Sequence, residues 1–148
     1  MFGGALKKLF GSQAAREFKK AESLIDGVNR HVTEYESLSD ADVFGKTAEF
    51  RRRLDEARGP LRQLAEQTEQ QLQADLDADK RVELSDRLAE LEAEIRDAEA
   101  ACLDELLPEA FALVKDTCRR LCGRSWETVA GMEEWAMVPY DVQVYGGT

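Results

Sequence analysis

What is scarce in this chain excludes several classes of function. No apolar run approaches the roughly 18–20 residues that a helix needs to cross a bilayer. The apolar residues near the N-terminus never form an uninterrupted h-region, so no secretory signal is read and the cytoplasm is the expected compartment. The 148 residues hold three cysteines and one histidine, and an odd number of thiols builds no disulfide framework. Cys118 and Cys122 share a helical pattern, Cys102 stands alone, and no C-x-x-C pair or histidine cluster accompanies them. Small buried thiols in a reducing compartment are expected. His31 falls off the apolar stripe of its helix and reads as a surface residue, not a ligand. No G-x-x-x-x-G-K-[ST] phosphate loop occurs. Neither an acidic magnesium ligand in strand context nor an arginine finger is legible. Cations are the minority: a net charge of -10 argues against a general nucleic-acid binder, whose phosphate contacts need clustered Lys and Arg.

The length and the 34% charged content fit one soluble domain with a modest core. The charge is uneven. Residues 1–20 carry Lys7, Lys8, Arg16, Lys19 and Lys20 against Glu17, so that end is +4 and the remainder -14, the mark of a basic arm. Phe2, Ala5, Leu6, Leu9 and Phe10 recur at helical spacing, with Lys7 and Lys8 between them. Such a helix can lay its apolar edge into lipid headgroups while each lysine gains about 1 kcal/mol from anionic lipid. Docking of Phe2, Leu6 and Leu9 on the protein's own body is the other reading.

Gly11-Ser12 predicts a break, with Ser12 capping a helix over 13–37 whose stripe is Ala14, Phe18, Ala21, Ile25, Val28, Val32 and Tyr35. Leu38-Ser39-Asp40-Ala41-Asp42-Val43 is a helix start: Ser39 and Asp42 occupy capping-box positions, and Leu38 can staple against Val43. Val43, Thr47, Phe50 and Leu54 then face inward, and Arg51, Arg52 and Arg53 form either a solvated face or a partner contact. Gly59-Pro60 predicts a second break, Gly as C-cap and Pro opening the next helix.

Residues 61–107 form a distinct block rich in Gln, Glu, Ala and Leu. One arm aligns Leu61, Leu64, Thr68, Leu72 and Leu76, Asp77-Ala78-Asp79 interrupts, and a second arm aligns Leu84, Leu88, Leu91, Ile95, Ala98, Cys102 and Leu106. Two such arms make an antiparallel helical hairpin; one long helix is the competing picture. Pro108 predicts a further helix start, with Ala110, Phe111, Val114, Cys118, Leu121 and Cys122 on a dense apolar face and Gly123 ending it. Residues 125–136 read as a connector whose Trp126 and Trp135 pack as lids over helix ends.

The final twelve residues concentrate the chemistry. The amide of Gln143 donates and accepts in one plane, the pattern that fits the N6/N7 edge of adenine. Tyr140 can stack on a base, and Asp141 can cap a helix beginning at Val142. The same spacing is far more often an ordinary helix start.

Four stretches resemble the N-terminal portion of the SecA family, the ATPase motors of bacterial preprotein translocation. They are Leu9-Phe10-Gly11-Ser12; Leu38-Ser39-Asp40 continuing through Gly45-Lys46-Thr47-Ala48-Glu49-Phe50-Arg51 to Leu54; Leu107-Pro108-Glu109-Ala110-Phe111-Ala112-Leu113-Val114; and Tyr140-Asp141-Val142-Gln143 with Gly146-Gly147. Most of the family crosses the block between Asp55 and Leu106 with a short link, so the resemblance implies an inserted helical hairpin there. Similar inserted helices and the Trp-containing connector resemble a subset of the family from Bacteroidetes-like lineages. The resemblance further implies that Met137, Tyr140 and Gln143 match the adenine-binding segment ahead of the phosphate loop, Gln143 reading the base edge and the other two walling the pocket. Pro139 departs from the basic or histidine residue common there. Residues 1–10, with Phe2, Leu6, Lys7, Lys8, Leu9 and Phe10, match the amphipathic N-terminus that contacts acidic lipid and the channel.

The expected fold is therefore all-α: antiparallel helices with an inserted hairpin, leading into a P-loop α/β motor domain not contained in these residues. The expected segments are 1–12 (amphipathic helix), 13–60 (scaffold), 61–107 (inserted hairpin) and 108–148 (helix, connector and adenine-binding segment). The resemblance implies ATP with Mg as cofactor of the full-length protein, a SecYEG-type channel and preprotein as its partners, and a cytoplasmic location, peripheral on the inner face of the plasma membrane. The residues present are expected to be catalytically inactive by themselves. A self-contained helical interaction module acting through the 61–107 hairpin is the alternative, and the codons following Thr148 discriminate: a Gly-rich loop ending Gly-Lys-Thr favours the motor, an immediate stop the module.

Overall fold

A computed structural model describes the backbone of residues 3–146 and the side chains of residues 15–146. The element order is α1 (Gly3–Glu36), α2 (Asp40–Leu72), α3 (Ala78–Leu121), β1 (Ser125–Thr128), β2 (Gly131–Glu134) and α4 (Asp141–Gly146). The all-α class holds, with one addition. The connector over 125–136 folds as a two-stranded antiparallel hairpin, Trp126 opposite Glu133 and Thr128 opposite Gly131. Trp126 and Thr128 favour the pleated conformation, and Gly131 supplies a φ of 120° that a side chain would resist. Thr128 Oγ1 donates to the Gly131 carbonyl at 2.9 Å and accepts from the Ala130 N–H at 3.2 Å, which fixes the turn.

Three predicted helix boundaries are corrected. α1 passes through Gly11 and Ser12 without a break; a lone glycine costs a helix only about 1 kcal/mol, and no proline follows to stop it. α2 passes through Gly59 and Pro60. Among the described residues only Gly123 and Gly131 take a positive φ, so Gly59 forms no left-handed C-cap. Arg58 and Arg62, one turn apart around Pro60, both donate to Glu99 Oε1, at 2.7 and 3.1 Å, and this anchors the helix where the proline removes a donor. α3 likewise runs through Pro108, whose ring is used for packing against α1. Gly123, with φ 79°, does end α3 as expected.

The chain divides into two units, Met1–Val43 with Pro108–Thr148, and Phe44–Leu107. In the second, α2 and α3 are antiparallel arms joined through residues 73–77, so a hairpin forms instead of one long helix. The turn lies slightly ahead of the predicted Asp77-Ala78-Asp79. Asp77 Oδ1 accepts from the Lys80 N–H at 2.8 Å and caps α3, and Arg81 donates to the Leu72 carbonyl at 3.3 Å. Leu91, Leu84, Cys102 and Leu106 are buried along the predicted seam. Leu64 is exposed and Ala65 takes its place in the core; the buried Thr68 hydroxyl is satisfied by the Leu64 carbonyl at 2.8 Å.

In the first unit the core is Val28, Tyr35, Ala112 and Val144, with Leu24, Val32, Leu38, Phe111 and Leu113 packed on it. α1 and the end of α3 run parallel there, since Gly27 faces Pro108 and Tyr35 faces Arg120. A β-carbon added at Gly27 would stand 3.2 Å from the Pro108 Cβ. A side chain there would force the two helices to give by a few tenths of an ångström. Phe18, predicted on the inner stripe, is exposed. The predicted capping box forms in full: Ser39 Oγ accepts from the Asp42 N–H at 3.2 Å, and Asp42 Oδ2 accepts from the Ser39 N–H at 3.3 Å.

One charged cluster ties the end of α3 to the turn that follows α1. Asp116 has no exposed surface, and its oxygens accept from Arg119 Nη2 and Arg120 Nε, both at 2.6 Å. Arg120 also donates to the carbonyls of Tyr35 at 2.7 Å and Leu38 at 2.9 Å, and to Asp40 Oδ1 at 2.7 Å. That last bond holds the Asp40 carboxyl below the ordinary aspartate range. The three thiols are free: Cys102 and Cys118 are buried as expected, whereas Cys122 is exposed. Burial pushes the Cys118 thiol up.

Candidate functional site

The start of α4 is tied to both neighbouring helices. Lys115 Nζ, on α3, donates to Asp141 Oδ1 at 2.6 Å and to Asn29 Oδ1, on α1, at 2.8 Å. Asn29 Nδ2 closes the triangle on Asp141 Oδ2 at 3.4 Å. Asp141 was expected to cap a helix beginning at Val142. Instead it is the first residue of α4, and its carboxylate is engaged by Lys115. The hydrogen bonds from Lys115 and then Asn29 hold its carboxyl below the ordinary range. Capping falls to Gln143, whose Oε1 accepts from the Tyr140 N–H at 2.9 Å, the third-residue half of a capping box. Val144, 4% exposed, pins the same turn into the core.

Around Gln143 lies an apolar pocket of about 260 Å3, lined by Phe111 and Val114 of α3, Met137 and Pro139 of the preceding linker, and Gln143 and Val144 of α4. Two predicted site residues, Met137 and Gln143, are brought together there. Tyr140 is not: its side chain is 75% exposed and does not line the pocket. Pro139 does line it. Gln143 keeps its two amide N–H donors and a second oxygen lone pair beyond the bond to Tyr140.

The linker is held from the hairpin side. The Gly123 N–H donates to the Trp135 carbonyl at 3.0 Å, and the Trp135 N–H to the Arg124 carbonyl at 2.9 Å. The Trp135 indole Nε1 donates to the Met137 carbonyl at 2.7 Å, and its ring lies 6.1 Å from Trp126, tilted by 32°. Among the residues that frame the pocket, Phe111, Val114, Lys115, Asn29 and Trp135 were not assigned to it from the sequence. Phe111 and Val114 were read only as part of an apolar helix face and Trp135 only as a lid over a helix end, while Lys115 and Asn29 carried no signal. Side chains of Leu6, Lys7, Lys8, Leu9 and Phe10, and Phe2 altogether, lie outside the described residues. His31 is half-buried, with Nδ1 2.8 Å from Glu34 Oε2. Among the described residues no cluster fit to hold a metal ion occurs, and no helix is long and apolar enough to cross a membrane.

Comparison with known proteins decides the family. The model of the SecA DEAD-like domain matches residues 6–148. The chain belongs to the SecA family. Relatives named protein translocase subunit SecA are 36% identical over 143 residues in Chloroherpeton thalassium, covering 96% of this chain, and 38% identical over 141 residues in Prosthecochloris aestuarii, covering 95%. The Salinibacter ruber protein of that name is 37% identical over 162 residues, again 95% of this chain. The chain spans 14% of the length of each of these SecA proteins. No solved structure matches the chain.

Proposed function

We propose that this chain is the N-terminal region of an ATP-driven preprotein translocase, and that the pocket beside α4 receives the adenine of ATP. The observation that carries this reading is the placement of an amide, Gln143, at the edge of a cleft whose walls are otherwise apolar. A purine needs two apolar faces and one hydrogen-bonding edge. Phe111, Val114, Met137 and Pro139 offer the faces, and the Gln143 amide offers the edge that pairs with N6 and N7. The Lys115–Asp141–Asn29 triangle fixes α4 and so keeps that amide in place. ATP and its Mg would need a phosphate-binding loop, and none occurs in these residues. The 148-residue chain should therefore show no micromolar ATP affinity, because phosphate contacts supply most binding at such sites; saturable micromolar heat in titration calorimetry overturns this.

In the translocase polypeptide, Gln143→Ala should shrink the preference for ATP over GTP by about tenfold, within the range of one bidentate base contact. An unchanged preference refutes the adenine assignment. The basic, apolar residues 1–10 support an inner-membrane role: Phe2, Leu6, Leu9 and Phe10 enter the headgroup layer, and Lys7 and Lys8 meet anionic lipid. A SecYEG-type channel and preprotein are the partners this reading assigns, at the cytoplasmic face of the membrane. Deleting residues 1–10 should abolish flotation with anionic liposomes, and flotation by the truncated protein would show that the arm only packs.

A further inference from the structure

The hairpin between α3 and α4 is small, exposed on most of its residues, and stands directly before the pocket wall. A two-stranded hairpin is marginal by itself in water, so a reason for its order has to come from its attachments. Those are concentrated at one residue. The Trp135 backbone is bonded in both directions to the residues just past α3, through the Gly123 N–H at 3.0 Å and the Arg124 carbonyl at 2.9 Å. Its indole then reaches forward to the Met137 carbonyl at 2.7 Å. Trp126, across the hairpin, lies against the same indole with a ring separation of 6.1 Å. The bond therefore connects the rigid end of α3, which also supplies Phe111 and Val114, to the linker that supplies Met137 and Pro139.

We infer that Trp135 is a positioning residue for the base pocket: its indole N–H sets the path of residues 137–139, and so the gap between Met137 and the α3 wall. This rests on the adenine reading given above. Trp135 touches no ligand in this arrangement; it acts through the Met137 carbonyl. Without the indole donor the linker keeps its pivots at Trp135 and Tyr140 but loses its intermediate tether. The wall then samples positions that do not grip a flat ring. Base affinity falls while the chemistry downstream of binding is untouched.

The test is steady-state ATP hydrolysis by the translocase polypeptide with Trp135→Phe, with Trp126→Phe and Gln143→Ala run in parallel. Trp135→Phe should raise KM for ATP by about threefold to tenfold, the range for one lost hydrogen bond, leave kcat within twofold, and reduce the ATP-over-GTP preference. Trp126→Phe keeps the indole bond and should leave KM nearly unchanged. A merely structural role would lower the melting temperature without changing base preference. If Trp135→Phe does not fold, replacing Trp135 by β-(3-benzothienyl)alanine keeps the ring shape and removes only the N–H donor; it should reproduce the KM rise. If Gln143→Ala loses base preference and both Trp135 variants retain it, the positioning role is refuted and the pocket stands. If Gln143→Ala also retains it, the adenine reading fails and this inference with it.

Discussion

Replacing Arg120 by alanine should be among the most damaging single changes in the first unit. The guanidinium makes four kinds of contact at once: Asp116 at 2.6 Å, Asp40 at 2.7 Å, and the carbonyls of Tyr35 and Leu38 at 2.7 and 2.9 Å. Asp116 is fully buried, so the variant leaves a carboxylate away from water with half its partners. Breaking a buried pair by removing one member costs about 3–5 kcal/mol. Arg119 still donates to Asp116 Oδ1 at 2.6 and 3.0 Å, which moves the value toward the lower end. Two carbonyls also lose charged donors, each bond being worth about 1.5–3 kcal/mol when intact, although water entering the emptied space recovers part of that. The Asp40 pair is exposed and adds little. A net loss of about 3–4 kcal/mol follows, equivalent to a fall of about 10 °C in melting temperature for a chain of this size. Thermal and urea unfolding followed by circular dichroism measure it. A loss below about 1 kcal/mol would refute the view that this cluster ties α3 to the turn after α1, as would an Asp116→Asn, Arg120→Ala cycle with coupling under about 0.5 kcal/mol.

Further outcomes follow from the same geometry. Hydrogen bonds from Lys115 and then Asn29 hold the Asp141 carboxyl below the ordinary aspartate value of 3.8 in the folded chain. Its contribution to stability is therefore present above that value and lost as pH falls through the lower folded value. Hydrogen exchange of residues 141–146 should accelerate as pH drops below about 4, after correction for intrinsic rates, and Lys115→Met should flatten that dependence; an unchanged acid limb in the variant would contradict it. Gly59→Ala, with open space around the new methyl, should stabilise the second unit by about 0.5–1 kcal/mol. Gly27→Ala gains the same helix propensity but meets Pro108 Cβ at 3.2 Å, and the rigid ring cannot rotate aside, so the net effect should be destabilising in the same urea assay. Leu91→Ala, at a side chain 1% exposed, should cost about 3 kcal/mol.

The sequence determined by itself whatever depends on local order. Periodicity placed the seam from Leu84 to Leu106 and the stripe from Ala21 to Tyr35, because burial of one helical face leaves its spacing in the residues themselves. The capping box at Ser39 and Asp42 and the stop at Gly123 were legible for the same reason, since each is closed within one turn of chain. The bond of Gln143 to Tyr140 is equally local, which is why the terminal segment could be read as a helix start. Tertiary structure alone decided what distant residues do to one another. Pro60 and Pro108 look like breakers in one dimension, yet Glu99 clamps the helix around the first and Gly27 receives the second. Arg120, Lys115 and Asn29 look like ordinary surface polars until α1 and α3 lie side by side and they find partners some 80 residues away in sequence. The pocket itself belongs to that class: Phe111 and Val114 wall it with Met137, Pro139 and Gln143 only because α4 is pinned against α3. Local patterns act over a turn of helix, whereas a cleft is made by the meeting of surfaces that the chain order keeps apart.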